Sequence, residues 1–131
     1  FPYTTLFRSG VPVVYCAGTI ALATLETVHH FRRDSPPFNR YLVRIDIPDA
    51  AWDTRQVLDP APAGWDAIPA GLASIAAGDA WLASAASALL LVPSVIVPDE
   101  YNVLINPAHR GGAGIAAATV RRWLYDPRLF S

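Results

Sequence analysis

"LLLVPSVIVPDEYNVLINPAH", residues Leu89 to His109, decides how the chain is read. Two apolar runs in and around it, "ALLLVPSVIVP" and "YNVLIN", read as short strands rich in aliphatic and β-branched residues. The residues between and after them read as turn. Ser94 follows Pro93 at a strand boundary, where a serine commonly bonds its own backbone. No G-x-S-x-G elbow surrounds it, so nothing local marks it as a nucleophile. Its alternative role is a binding hydroxyl delivered by a strand end. Asn106-Pro107 is a turn initiator, with a structural Asx-turn as its expected use.

Outward from that stretch, "VPVVYCA", Val11 to Ala17, reads as a buried strand. Thr19 can cap a helix placed at about Ile20 to Arg32. The two prolines of "DSPPFN" end it. "RYLVRIDIP" alternates, with Tyr41, Val43, Ile45 and Ile47 on one side and Leu42, Arg44 and Asp46 on the other, as in a half-exposed strand. Ala50 to Trp65 reads as loop with at most a turn of helix. "AGLASIAAGDAWLASAAS" reads as two short helices parted at Gly78-Asp79, with Asp79 near the second N-terminus, where its charge suits the dipole. "PAHRGGAG" is loop. In "IAAATVRRWLYD" the alanines favour helix and Val120, Trp123 and Tyr125 favour strand; a strand from about Val120 to Tyr125 is expected. Strands and helices mix without a βαβα order, so the class is α+β: one domain, a mixed β-sheet with short helices.

At 131 residues, 53% of them hydrophobic, the chain has material for one core. Its most apolar stretch is broken by Ser84, Ser87 and Pro93, short of the roughly 20 apolar residues of a membrane span. A net charge of −1 gives no reason to expect nucleic acid as a partner. All basic residues are arginine, which reads as genome composition. The single cysteine, Cys16, rules out an internal disulfide and fits a reducing cytosol. There is no Met, and "FPYTTLFRS" lacks the layout of a signal peptide and resembles a sequencing-adaptor scar. Residues 1–9 are therefore expected to be non-native, with residues 10–131 forming an N-terminally truncated domain. No G-x-G-x-x-G or P-loop motif is present.

Few residues suggest chemistry. On a helical wheel Ile20, Ala21, Leu25, Val28 and Phe31 share one face, and Glu26 lies nearly opposite with Leu22, His29 and His30. A solvated carboxylate on an outer face is the plain reading of Glu26. A cleft-lining carboxylate is the sharper one, with His30 within reach at i+4. His29 and His30 diverge by about 100° and His109 is distant, so no metal site is expected. Cys16 reads as an inert core thiol. Tyr15 reads as core, or as a phenol facing a flat ligand if a cavity reaches it.

Taken together, "GVPVVYCAGTIALATLETVHH", "YLVRIDIPD", "GDAWLAS", "LLVPSVIVPDEYNVLINPAH" and "YDPRLF" resemble, in order and spacing, the RES domain, a family of toxins from bacterial toxin–antitoxin pairs. The resemblance covers Gly10 to Phe130. It implies a fold like that of ADP-ribosyltransferases. It also implies an enzyme that consumes NAD by phosphorolysis, by hydrolysis or by transfer of ADP-ribose to a protein. Glu26 falls at the family glutamate, Ser94 at the family serine, and Tyr15 at the tyrosine of the "PVVY" strand. The resemblance makes Glu26 catalytic, with Tyr15 and Ser94 holding NAD. The family arginine, a clamp for pyrophosphate, has Thr5 in its place; Arg8 is near but out of register. A fragment that only binds NAD or antitoxin is the alternative. NAD is implied as substrate, with no cofactor. The implied partner is an Xre-type helix-turn-helix antitoxin, in the cytoplasm, and a homo-oligomer is compatible.

Overall fold

The two strands expected within residues 89–109 form, and they pair with each other. In the computed structural model, which describes residues 3–6, 12–28, 39–59 and 72–130, β5 (Leu89–Pro93) runs antiparallel to β6 (Tyr101–Ile105), from Leu89 opposite Ile105 to Pro93 opposite Tyr101. On its other edge β6 takes β2 (Pro12–Ala17), also antiparallel, with Tyr15 opposite Leu104 and Ala17 opposite Asn102. β1 (Tyr3–Leu6) joins β2 with Thr5 opposite Val13, so four residues of the segment set aside from the sequence reading form a strand. β4 (Gln56–Val57) pairs parallel with β5 and closes the order β1-β2-β6-β5-β4. β4 falls in the stretch expected to be loop, and two residues are too few to show a period. The fold is α+β, as the sequence implies.

Successive strand side chains point to opposite faces, and this sheet is covered on both. One face carries Val13, Leu90, Val92 and Leu104, with Trp81 packed among them from α3 (Leu72–Ser84). The other carries Leu89, Leu91, Val103 and Ile105, under Ile45, Ile47 and Ile115. Burial on both sides explains why "LLLV" is a continuous apolar run. Ile45 belongs to β3 (Arg40–Asp46), which pairs with β7 (Ala116–Trp123) as a separate two-stranded sheet. α2 (Asp49–Asp53) follows β3.

Several expectations give way. Helix α1 (Ile20–Val28) forms where expected, and Thr19 caps it, its Oγ1 accepting from the Leu22 N–H at 3.1 Å. The expected continuation to Arg32 lies outside the described residues. But α1 docks by the face opposite its apolar stripe: Leu22 and Glu26 are buried, while Ile20 and Leu25 are exposed. The polar contacts of Glu26, described below, decide which face goes in. α3 is one helix, not two. A mid-helix glycine costs about 1 kcal/mol, and seating Trp81 in the core offsets it. Asp79 therefore lies within the helix, and its Oδ1 is buried without a partner.

β7 begins at Ala116, earlier than the expected Val120, because seven pairings along β3 override the helix preference of the alanines. The register slips between Leu42, opposite Arg121, and Val43, opposite Thr119, which leaves Val120 as a bulge. Tyr41, grouped with Val43 and Ile45 on one side of this strand, is 51% exposed. "YDPRLF" ends as a short 3-10 turn at Pro127–Phe130, and the hydroxyls of Tyr125 and Thr27 meet at 2.9 Å, tying this segment to α1. Among the described residues no helix is long and apolar enough to cross a membrane.

Candidate active site

The register gathers polar groups at one end of the face that holds Trp81. Val92 and Ala17 flank Asn102 across β5 and β6 and across β2 and β6. Tyr15 lies two residues before Ala17, and Ser94 two residues after Val92, so period two places all three side chains on that same face. α1 lies over this end and lowers Glu26 onto it. Glu26, Ser94 and Asn102 are 7%, 2% and 0% exposed.

The three share one atom. Ser94 Oγ donates to Glu26 Oε1 at 2.6 Å, and Asn102 Nδ2 donates to the same oxygen at 2.9 Å. The serine contact has the length of a hydroxyl bound to a carboxylate. Asn102 Nδ2 also donates to the Tyr15 phenol oxygen at 2.7 Å. Both residues expected to serve the site, Tyr15 and Ser94, thus reach Glu26, one directly and one through Asn102. Among the described residues, Glu26 Oε2 takes no hydrogen bond, and no cationic side chain pairs with the carboxylate. His30, the partner expected from the i+4 spacing, lies outside the described residues, as does His29.

Ser94 is the turn serine expected, and its hydroxyl also reaches Glu26. Its Oγ accepts from the Ile96 and Val97 N–H groups at 3.1 and 3.0 Å, which is the turn expected after Pro93. Its own N–H donates to Glu100 O at 2.8 Å, extending the β5–β6 pairing. With two bonds accepted and its hydrogen on Glu26, the hydroxyl is held from three sides. Asn106 is the structural Asx-turn expected, its Oδ1 accepting from the Ala108 N–H at 3.0 Å.

Asn102 is the residue that the sequence reading misses. Its signal is present: an asparagine is unusual inside a strand, and a polar residue at a position whose neighbours are buried is informative. The even positions of β6, Asn102 and Leu104, face the Trp81 side, so "YNVLI" already places the amide on the site face once Ser94 is known to lie there.

Thr5, at the place of the family arginine, lies on β1; Arg8 lies outside the described residues. No group of three His, Cys, Asp or Glu side chains suited to a metal occurs among the described residues. Cys16 points to the opposite face, where its thiol donates to Val103 O at 3.2 Å. Burial pushes that thiol from 9.0 up to about 11. At neutral pH only about one molecule in ten thousand carries the thiolate. Iodoacetamide at pH 7.5 should therefore leave Cys16 unmodified by mass spectrometry in the folded protein and alkylate it in urea. Rapid labelling of the folded chain would contradict this placement. The unfolded chain gives up this proton near pH 9.0 and the folded chain keeps it to about pH 11. The thiol's contribution to stability is thus intact below that window and declines as pH rises through it.

Sequence comparison relates the chain to known proteins. The RES domain profile matches residues 7–127. A Sphingobium protein named "Prs ADP-ribosylating toxin" is 55% identical over 122 residues, covering 92% of this chain and 76% of the relative. A Yersinia enterocolitica protein named "Toxin Res" is 34% identical over 131 residues, covering 93% of this chain and 80% of its own. A Pseudomonas putida protein of the same name is 34% identical over 125 residues, covering 94% and 83%.

Proposed function

The chain belongs to the RES domain family, and on that premise we propose that it is a toxin that consumes NAD by breaking the nicotinamide–ribose bond at Glu26. The observation that carries this reading is the buried carboxylate anchored through one oxygen by Ser94 and Asn102, with its second oxygen left for a ligand.

The chemistry suits a lone carboxylate. As the C1′–N bond of NAD breaks, the electron pair leaves with nicotinamide, which departs neutral and needs no acid. Positive charge builds on the ribose in an oxocarbenium-like state. A hydrolase acting on an ordinary glycoside needs a second carboxylic acid to protonate its leaving oxygen; this substrate does not. Glu26 would stabilise the ribose charge and hold a ribose hydroxyl through Oε2. Such a fixed charge is effective because it is already oriented when the reaction begins. Tyr15 would supply an aromatic face to the nicotinamide. Ser94 would form the wall beside it, its hydroxyl steadying the carboxylate. NAD is the substrate and no cofactor is called for.

The acceptor at C1′ is water, phosphate or a protein side chain, and the shape of the cavity decides among them. The relative named as an ADP-ribosylating toxin supports transfer to a protein. An Xre-type helix-turn-helix antitoxin is the proposed partner, and the cytoplasm, where NAD is abundant, the proposed location. Inducing the chain in a bacterium and measuring the cellular NAD pool tests the reading. The pool should fall before growth stops. A folded, expressed chain that leaves NAD at its starting level would overturn the proposal.

A further inference from the structure

We infer that Asn102 is a positioning residue for Glu26: it orients the carboxylate so that Oε2, rather than Oε1, meets the ribose. The inference deepens the proposed function and rests on it.

Asn102 is the most firmly placed of the four site residues. It sits in β6, the middle strand of the sheet, between β2 and β5, and is fully buried. Ser94 and Glu26, by contrast, come from a turn and from a helix. The fixed strand therefore supplies the reference against which the carboxylate is set. Its Nδ2 donates in two directions, to Glu26 Oε1 at 2.9 Å and to Tyr15 Oη at 2.7 Å. An amide nitrogen has two hydrogens, so both are engaged. The same geometry fixes which way the amide faces, because its oxygen turned towards Glu26 would oppose a carboxylate oxygen.

A packing role alone does not explain this side chain. Asn102 Oδ1 is buried with no partner. An orphaned buried acceptor costs about 1–3 kcal/mol. Leucine has the same branched outline and would pack there without that penalty. What leucine cannot do is donate to a carboxylate and a phenol at once. Buried polar groups left half satisfied in a native protein call for such an explanation, and here the satisfied half points at the site. Tyr15 Oη accepts from Asn102, so the phenol's own hydrogen is turned away from the amide. One side chain thus sets both the carboxylate and the phenol that the proposed reaction uses.

Asn102→Leu and Asn102→Ser test the inference, each measured for nicotinamide release from NAD and for thermal melting. Asn102→Leu should melt within a few degrees of the parent, because removal of the orphaned acceptor offsets the donors lost to Glu26 and Tyr15. It should lose about 10- to 100-fold in kcat, the scale seen when groups that orient a reactive ligand are removed, with KM within about threefold. Asn102→Ser keeps one donor and should fall between the two. If Asn102→Leu fails to fold, the kcat of Asn102→Ser decides the matter alone. In a Glu26→Gln background either substitution should cost clearly less than it does alone, because most of Asn102's effect runs through the Glu26 carboxylate; fully independent roles would multiply the losses. A parent that releases nicotinamide and a folded Asn102 variant with the same kcat would overturn the inference alone. A folded parent that releases none with water, phosphate or bacterial lysate protein as acceptor would remove the proposed function, and this inference with it.

Discussion

Glu26→Gln should lower nicotinamide release by about 10²- to 10³-fold, the scale for removing one preorganised electrostatic group from a buried site, while the protein stays folded. Glutamine keeps a carbonyl oxygen where Oε1 now accepts from Ser94 at 2.6 Å and from Asn102 at 2.9 Å. The anchoring survives and the negative charge does not. What goes is the ability of Oε2 to meet the growing charge on ribose, so the loss should fall on kcat, with NAD affinity by calorimetry changed far less. Circular dichroism melts should place the variant within a few degrees of the parent. A variant that unfolds would mean that the charge itself holds α1 to the sheet. A variant that releases nicotinamide at the parent rate would remove Glu26 from the chemistry.

Trp81→Ala should destabilise the protein by about 3–5 kcal/mol, as expected for emptying the space of a buried aromatic side chain. Trp81 is 5% exposed and packs with Val13, Leu90, Val92 and Leu104 on one face of β2, β6 and β5. It also carries a polar chain: its Nε1 donates to Ser87 Oγ at 3.1 Å, and Ser87 Oγ donates to Leu89 O at 2.8 Å. Truncation opens a cavity and deprives the buried serine of a donor, two losses in one place. Chemical denaturation should show an earlier midpoint with little change in slope. A loss under 1 kcal/mol would mean that α3 is not a structural part of the core.

The strands were legible where burial made them monotonous. "LLLV" and "PVVYC" are runs that only a doubly covered sheet calls for, and the structure places both there. Helix α1 was legible as a helix but not in its orientation. The wheel assigns the inside to the apolar stripe, and that rule fails here because Glu26 finds two donors on the sheet, and these fix the docked face. The break expected at Gly78-Asp79 overrated local propensity against the burial of Trp81 three residues on. β7 failed in the same way, its alanines speaking for helix and its pairing with β3 overruling them.

Of the site, Glu26, Ser94 and Tyr15 entered through the resemblance more than through local pattern. Local pattern left Glu26 as a surface acid and Ser94 as a turn serine. Ser94 is indeed a turn serine, and the same turn points its hydrogen at Glu26. Asn102 escaped because strand alternation reveals a face only after the neighbouring strands are known. The pairing of Val92 with Asn102 supplies that knowledge, and the sequence does not contain it in local form.

The central claim is that the carboxylate held by Ser94 and Asn102 breaks the nicotinamide–ribose bond. The most direct measurement is chromatographic quantitation of free nicotinamide after purified parent and Glu26→Gln proteins are incubated with NAD alone, with phosphate, and with bacterial lysate protein as acceptor. The account predicts nicotinamide in proportion to parent protein and almost none from the variant. Intact NAD with a folded parent, or equal release from the two proteins, would contradict it.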